Sequence, residues 1–135
     1  MAAIKFDQTL HLNNRIMDRE HAILIEHINT LQEVIDGASS RHLIGQILEG
    51  LVEYTKTHFY VEEELMQSFN YPGYMVHKTA HTKFKKTMNQ IVEQYHSNET
   101  DVSEELMHML KDWLVNHIQK IDAQLADFLR GKVLG

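Results

Sequence analysis

The sequence predicts an all-α protein: an antiparallel up-down-up-down four-helix bundle with an irregular N-terminal arm. Three observations predict it. Helix breakers are scarce, with six glycines and one proline in 135 residues; apolar residues recur at helical spacing in four segments; and short polar connections part those segments. A chain of this length buries one core and is too short for two, so a single domain over 1–135 is expected.

Residues 1–17 read as the arm. Asp18 is the expected N-cap of the first helix, where His21, Leu24, Ile25, Ile28, Leu31 and Ile35 share a face up to Gly37. After a turn at Ser39-Ser40, the residues Ile44, Ile47, Leu48, Leu51, Thr55, His58, Glu62 and Leu65 stripe a longer second helix. Asn70-Tyr71-Pro72-Gly73 interrupts, and a third stripe runs through His77, His81, Phe84, Met88, Ile91 and Tyr95. The SNETD loop leads to Asp101, which with Glu104 has the spacing of a capping box. Leu106, Leu110, Trp113, Leu114 and His117 then form the fourth stripe, continued by Ile121, Asp122 and Leu125 to about residue 130. Each segment of roughly 20 residues spans about 30 Å, the length of a bundle helix.

Composition excludes several functions. A formal charge of −6 with interspersed signs argues against a nucleic-acid surface, which needs clustered Lys and Arg. Without cysteine there is no disulfide, thiolate zinc site or iron–sulfur cluster, so any metal must be held by nitrogen and oxygen. No leader pattern and no apolar run of roughly 18 residues is present, so a soluble cytoplasmic protein without a membrane partner is expected.

The ten histidines decide the chemistry. His58 and Glu62 are spaced i, i+4, as are His77 and His81, so each pair projects from one helical face with its backbone already fixed. Either pair alone is weak evidence, since a solvated helix face produces the same spacing. Together, His21, His58, His77, His81 and His117 interrupt otherwise apolar stripes on all four helices. Burying five imidazoles and a carboxylate without partners costs several kcal/mol, so they need either a closed polar network or a metal. Asp122 follows His117 by five positions, about 140° away on an ideal helix. Either the helix ends or distorts there, or Asp122 faces solvent; periodicity does not choose.

The remaining histidines, His11, His27, His42, His96 and His108, read as surface residues. Met66, Met75, Met88, Met107 and Met109 read as core or flank filler, as do Tyr54, Tyr71 and Tyr95. Glu63 and Glu64, flanking Glu62, read as a solvated acidic run, with acceptors for the outer nitrogens of the ligands as the other reading.

Four motifs in order, MDREH ending at His21, HFYVEEELM from His58, HKTAH over His77–His81 and DWLVNHIQKID over Asp112–Asp122, resemble the hemerythrin family in its single-domain bacterial form. The resemblance covers nearly the whole chain. It implies that His77, His81 and His117 hold one iron and His21 and His58 the other, with Glu62, Asp122 and an oxo or hydroxo group as bridges. It implies also that Asp122 turns inward. Dioxygen would then occupy the open position on the two-histidine iron, drawing two electrons from the ferrous pair (Fe2+/Fe3+) and returning them on release. Trp113 and Leu114 are candidates for an apolar wall of the oxygen pocket, with ordinary core packing the other reading.

The expected function is therefore reversible dioxygen binding for storage, transport or delivery by a monomer that is not an enzyme, with an oxygenase or an electron donor as conceivable partners. The alternatives are a di-iron redox enzyme acting on peroxide or nitric oxide, and an oxygen- or redox-sensing interaction module. Five neutral imidazoles with only two carboxylates favour binding over oxygen activation, because such a shell stabilises high-valent iron less than a carboxylate-rich one. The departures from the family pattern lie in or beside the arm: Phe6 where tryptophan is usual, Leu12-Asn13 for a Val-Gly pair, and Glu20 for a glutamine beside His21. They bear on how the arm covers the two-histidine iron.

Overall fold

Each apolar stripe is covered by the stripes of its neighbours. The computed structural model describes residues 4–37, 40–97 and 104–132. Helices α1 (Arg15–Asp36), α2 (Arg41–Ser68), α3 (Tyr74–His96) and α4 (Glu104–Asn116) are followed by a π-helical turn, His117–Asp122, and by α5 (Ala123–Leu129). Asn116, Asp122 and Ala123 all keep right-handed helical angles, so α4, the π turn and α5 form one continuous fourth rod. α1 packs on α2 and α4, and α2 on α3. His21 near the start of α1 meets Glu62 near the end of α2, and Glu62 meets His77 at the start of α3, so successive rods are antiparallel. Among the described residues, no helix is long and apolar enough to cross a membrane.

The first helix begins earlier than expected. Asn14 is its N-cap, its side-chain oxygen accepting from the Met17 amide at 3.0 Å. Asp18 lies inside the first turn, where its carboxylate accepts from the Leu12 amide at 2.9 Å and suits the positive end of the helix dipole. Asn13, the residue in place of glycine, takes φ 57°, a left-handed value that asparagine tolerates better than most side chains. Ser40 caps α2 through the Leu43 amide at 3.1 Å, whereas Ser39 and Asp101 lie outside the described residues.

α2 ends in a Schellman motif: the Asn70 amide donates to Gln67 and the Tyr71 amide to Met66, with Asn70 at φ 55°. Pro72 then prevents continuation, and a Cβ on Gly73 would meet the Tyr71 ring at 2.8 Å, so a larger residue there would displace that ring. At the other end of the molecule, the Tyr95 hydroxyl donates to the Arg41 carbonyl at 2.7 Å while the Arg41 guanidinium lies 4.0 Å from the Tyr95 ring centre, tying the start of α2 to the end of α3.

Two apolar layers result. The larger contains Leu24, Ile28, Leu51, Phe59, Met88 and Leu110; the smaller, near the α2–α3 turn, contains Met17, Met66, Leu125, Ala126 and Leu129. Met66, Met88 and Met107 are core residues and Met109 is half-buried, but Met75, expected as filler, is 70% exposed. His27, expected at the surface, is half-buried against the Tyr54 ring. A second polar pin joins α1 to α4: Lys111 donates to Gln32 at 3.0 Å, and Gln32 donates to Asp36 and Glu104.

Replacing Asn14 by alanine should lower stability by about 1 kcal/mol in urea denaturation, the usual worth of a side-chain N-cap. Asp18→Ala should instead loosen the arm, seen as faster amide exchange at Leu12 with little change in the α1 interior.

Candidate metal centre

Between the two apolar layers lies one polar layer. α1 supplies His21, α2 supplies His58 and Glu62, α3 supplies His77 and His81, and the fourth rod supplies His117 and Asp122; all seven side chains are buried, each 5% exposed or less. The structure thus brings together every residue that the sequence singled out as a ligand. It also settles where Asp122 points. The π turn spends about one extra residue per turn, so positions five apart share a face, and Asp122 Oδ1 lies 3.2 Å from His117 Nε2.

Both carboxylates divide their oxygens between two groups of histidines. Glu62 Oε2 faces His21 and His58 at 3.5 and 3.3 Å, while Oε1 faces His77 and His81 at 3.3 and 3.0 Å. Asp122 Oδ2 faces His21 at 2.8 Å, and Oδ1 faces His77 and His117 at 2.9 and 3.2 Å. Two donor groups follow, Glu62/His77/His81/His117/Asp122 and His21/His58/Glu62/Asp122, with ligand atoms within 4.8 Å of one another in each.

Short distances do not make these contacts hydrogen bonds. The Nε2 atoms of His21 and His77 and all four carboxylate oxygens of Glu62 and Asp122 are buried with no aligned partner. Nine such orphaned atoms in one layer, counting the Nδ1 atoms of His21, His58 and His77, would be costly in a finished core. Donors that lie close yet aim past one another converge on shared points. Their 2.8–3.5 Å separations match the roughly 3 Å edge of a coordination octahedron with bonds of about 2.1 Å. The set therefore fits a pair of nitrogen- and oxygen-loving cations.

Electrostatics agree. Burial pushes His21 and His77 toward lower pKa, but Asp122 and Glu62 outweigh it and raise them to about 10 and about 9. Burial pushes Glu62 up, yet His58, His21 and His77 hold it well below the usual carboxylate range. Asp122, pushed up by burial and by Glu62, is likewise held low by His117 and His21. Without cations, protons take their place as counter-charge.

Several contributors lie outside the predicted ligand set. Glu63, expected in solvent, has a side chain only 15% exposed, and its Oε2 sits 3.0 Å from His81 Nδ1, anchoring that ring from behind. Glu64 is exposed. Phe59 lies parallel to the His81 ring at 3.8 Å. Trp113 stacks on His117 at 4.4 Å and on Phe84 at 3.8 Å. Tyr54 donates to Glu20, the neighbour of His21; burial and that carboxylate both raise its pKa. Adjacency to a metal-ligand pattern was the available signal for Glu63 and Phe59.

Fold and site together define a four-helix bundle built around a buried histidine–carboxylate cation site. The sequence profile described as the hemerythrin HHE cation binding domain matches residues 12–129, and the chain belongs to the hemerythrin family. It is 35% identical over 127 residues to a bacteriohemerythrin of Stenotrophomonas maltophilia, covering 94% of this chain and 82% of that one. It is 33% identical over 118 residues to a myohemerythrin of Theromyzon tessulatum, covering 87% of each. A crystal structure of wild-type hemerythrin superimposes with a TM-score of 0.88 at 28% identity, over 93% of this chain and 97% of that one.

The raised histidines set a pH dependence. Their folded-state values lie above the ordinary 6.5, so their protonation stabilises the metal-free fold fully below pH 6.5 and ceases to as pH climbs through about 9 to 10. The metal-free chain should therefore unfold at lower urea concentration at about pH 9 than at about pH 6.5. Cation uptake at neutral pH should release protons into weakly buffered solution. Equal midpoints with no proton release would show that these histidines carry no stabilising charge.

Proposed function

We propose that this protein binds dioxygen reversibly at a non-haem di-iron centre and serves to store or deliver it, without acting as an enzyme. The observation that carries the reading is the division of Glu62 and Asp122, each offering one oxygen to the His21/His58 side and the other to the three-histidine side. That is the arrangement two bridging carboxylates need. His77, His81 and His117 would hold one iron and His21 and His58 the other, with Glu62 and Asp122 shared between the two. Iron bound there would supply the two-electron redox chemistry that reversible dioxygen uptake needs.

The chain's own residues keep that exchange reversible. Beside the polar layer lies a cavity of about 20 Å³ whose lining includes Leu24, Leu51, Thr55, Phe59, Trp113 and Leu114. Its one hydroxyl, on Thr55, donates its proton to the Leu51 carbonyl at 2.7 Å, so the largely apolar walls offer water few partners. Room for about one small molecule with apolar walls favours a diatomic gas over water. Leu114 and Trp113 belong to this wall, and both sit within one turn of His117.

The decisive experiment is anaerobic reduction followed by repeated addition and removal of oxygen, with iron counted per chain and the visible spectrum followed. Two irons per chain and a spectrum that appears and vanishes reversibly are expected; irreversible oxidation with no oxygenated species would refute the reading. His77→Ala should lose iron, and unchanged iron content would undo the ligand assignment. Leu114→Ala should retain both irons, cost about 3–5 kcal/mol of stability, as other core leucine truncations do, and speed autoxidation by admitting water.

A further inference from the structure

The two halves of the metal centre are braced differently. On the three-histidine side, Glu63 meets His81 Nδ1 at 3.0 Å, Phe59 lies against the His81 ring, and Trp113 stacks on His117. On the other side, the Nδ1 atoms of His21 and His58 are buried with no aligned partner. A ligand ring that no hydrogen bond orients from behind keeps its place only as well as its backbone does. The fit of this half therefore depends on how firmly α1, which carries His21, is held against α2, which carries His58.

One side chain spans that pairing beside both ligands. Tyr54, one turn before His58, donates its hydroxyl hydrogen bond to Glu20 Oε2, and Glu20 is the residue before His21. The Tyr54 ring also rests against His27, with ring centres 5.2 Å apart. Glu20 and His27 lie two turns apart, about 10 Å along α1, and bracket His21 between them. Contacts at two heights hold both the rotation and the axial register of α1 against α2 from outside the apolar core. Glu20, Tyr54 and His27 are all half-buried, which limits competition from water for the hydroxyl.

We propose that Tyr54 and Glu20 are positioning residues for the two-histidine half of the centre, holding His21 and His58 at the separation that one cation needs. Neither side chain touches the cation. The inference rests on the reading of the site as a two-cation centre. What this role asks of Glu20 is an acceptor oxygen and not a charge, so an amide in its place serves nearly as well.

The test follows zinc and not oxygen. The chain, labelled with 15N-histidine and loaded with zinc on both halves, is exposed to excess EDTA, and the ring-nitrogen signals report which half empties. Tyr54→Phe should release the His21/His58 zinc roughly tenfold faster than wild type, with release from His77, His81 and His117 unchanged. Glu20→Ala should do the same, the double variant no more than either alone, and Glu20→Gln should restore most of the wild-type rate. Equal release from wild type and Tyr54→Phe, acceleration of both halves together, additive effects in the double variant, or Glu20→Gln behaving as Glu20→Ala would overturn the proposal alone. Failure of the wild-type chain to fill both halves with zinc would undo the ligand assignment and this inference with it, so the two failures are distinguishable.

Discussion

Everything in this bundle is arranged around two buried carboxylates that no single helix can satisfy. Glu62 from α2 and Asp122 from the fourth rod lie in mid-core, 1% exposed or less, and their counter-groups come from every other rod. Isolated charges there would cost many kcal/mol, so the layer is tolerable only when all four rods present their residues together. That requirement fixes the register of each helix against the others. Apolar packing alone would not, since leucine and isoleucine stripes tolerate sliding and repacking at modest cost. The apolar layers on either side then supply the burial that holds the rods in place and keep water from the charges.

The π turn is the local consequence of that constraint. An unbroken α-helix carrying His117 inward would turn Asp122 well around its surface. Inserting the equivalent of one extra residue between them weakens the backbone ladder, and such turns are rare for that reason. It persists here because its ends are held: His117 by Trp113 and the polar layer, Asp122 by His21 and His77, and the following helix by Leu125 and Leu129 in the smaller core. The arm adds a tie from outside, Gln119 within the turn donating to the Thr9 carbonyl at 3.2 Å.

Much of this was legible in the sequence because both the fold and the ligand set obey one rule, the 3.6-residue period. His21, His58, Glu62, His77, His81 and His117 stand in apolar stripes, and the stripes alone place them inside the bundle. Asp122 breaks the period, so its inward turn came only from family resemblance; a π turn leaves no residue signature that periodicity can detect. Glu63 was misread for the opposite reason. It lies one position off the stripe, and the fact that His81 Nδ1 waits there depends on how α2 and α3 cross. The start of α1 was missed because Asn14 and Asp18 are equally good capping residues, and the choice between them depends on where the arm returns to the helix.

The apolar wall beside the centre bears on how such a site stays useful. A carrier must exclude water and protons from its oxygen pocket, or the oxygenated form decays to the ferric state. The cavity bounded by Leu24, Leu51, Phe59, Trp113 and Leu114 has largely apolar walls, and its threonine hydroxyl donates to a backbone carbonyl. Trp113 stacks on both Phe84 and His117 and also lines the cavity, so one indole ring buttresses a ligand histidine and closes the apolar space beside it.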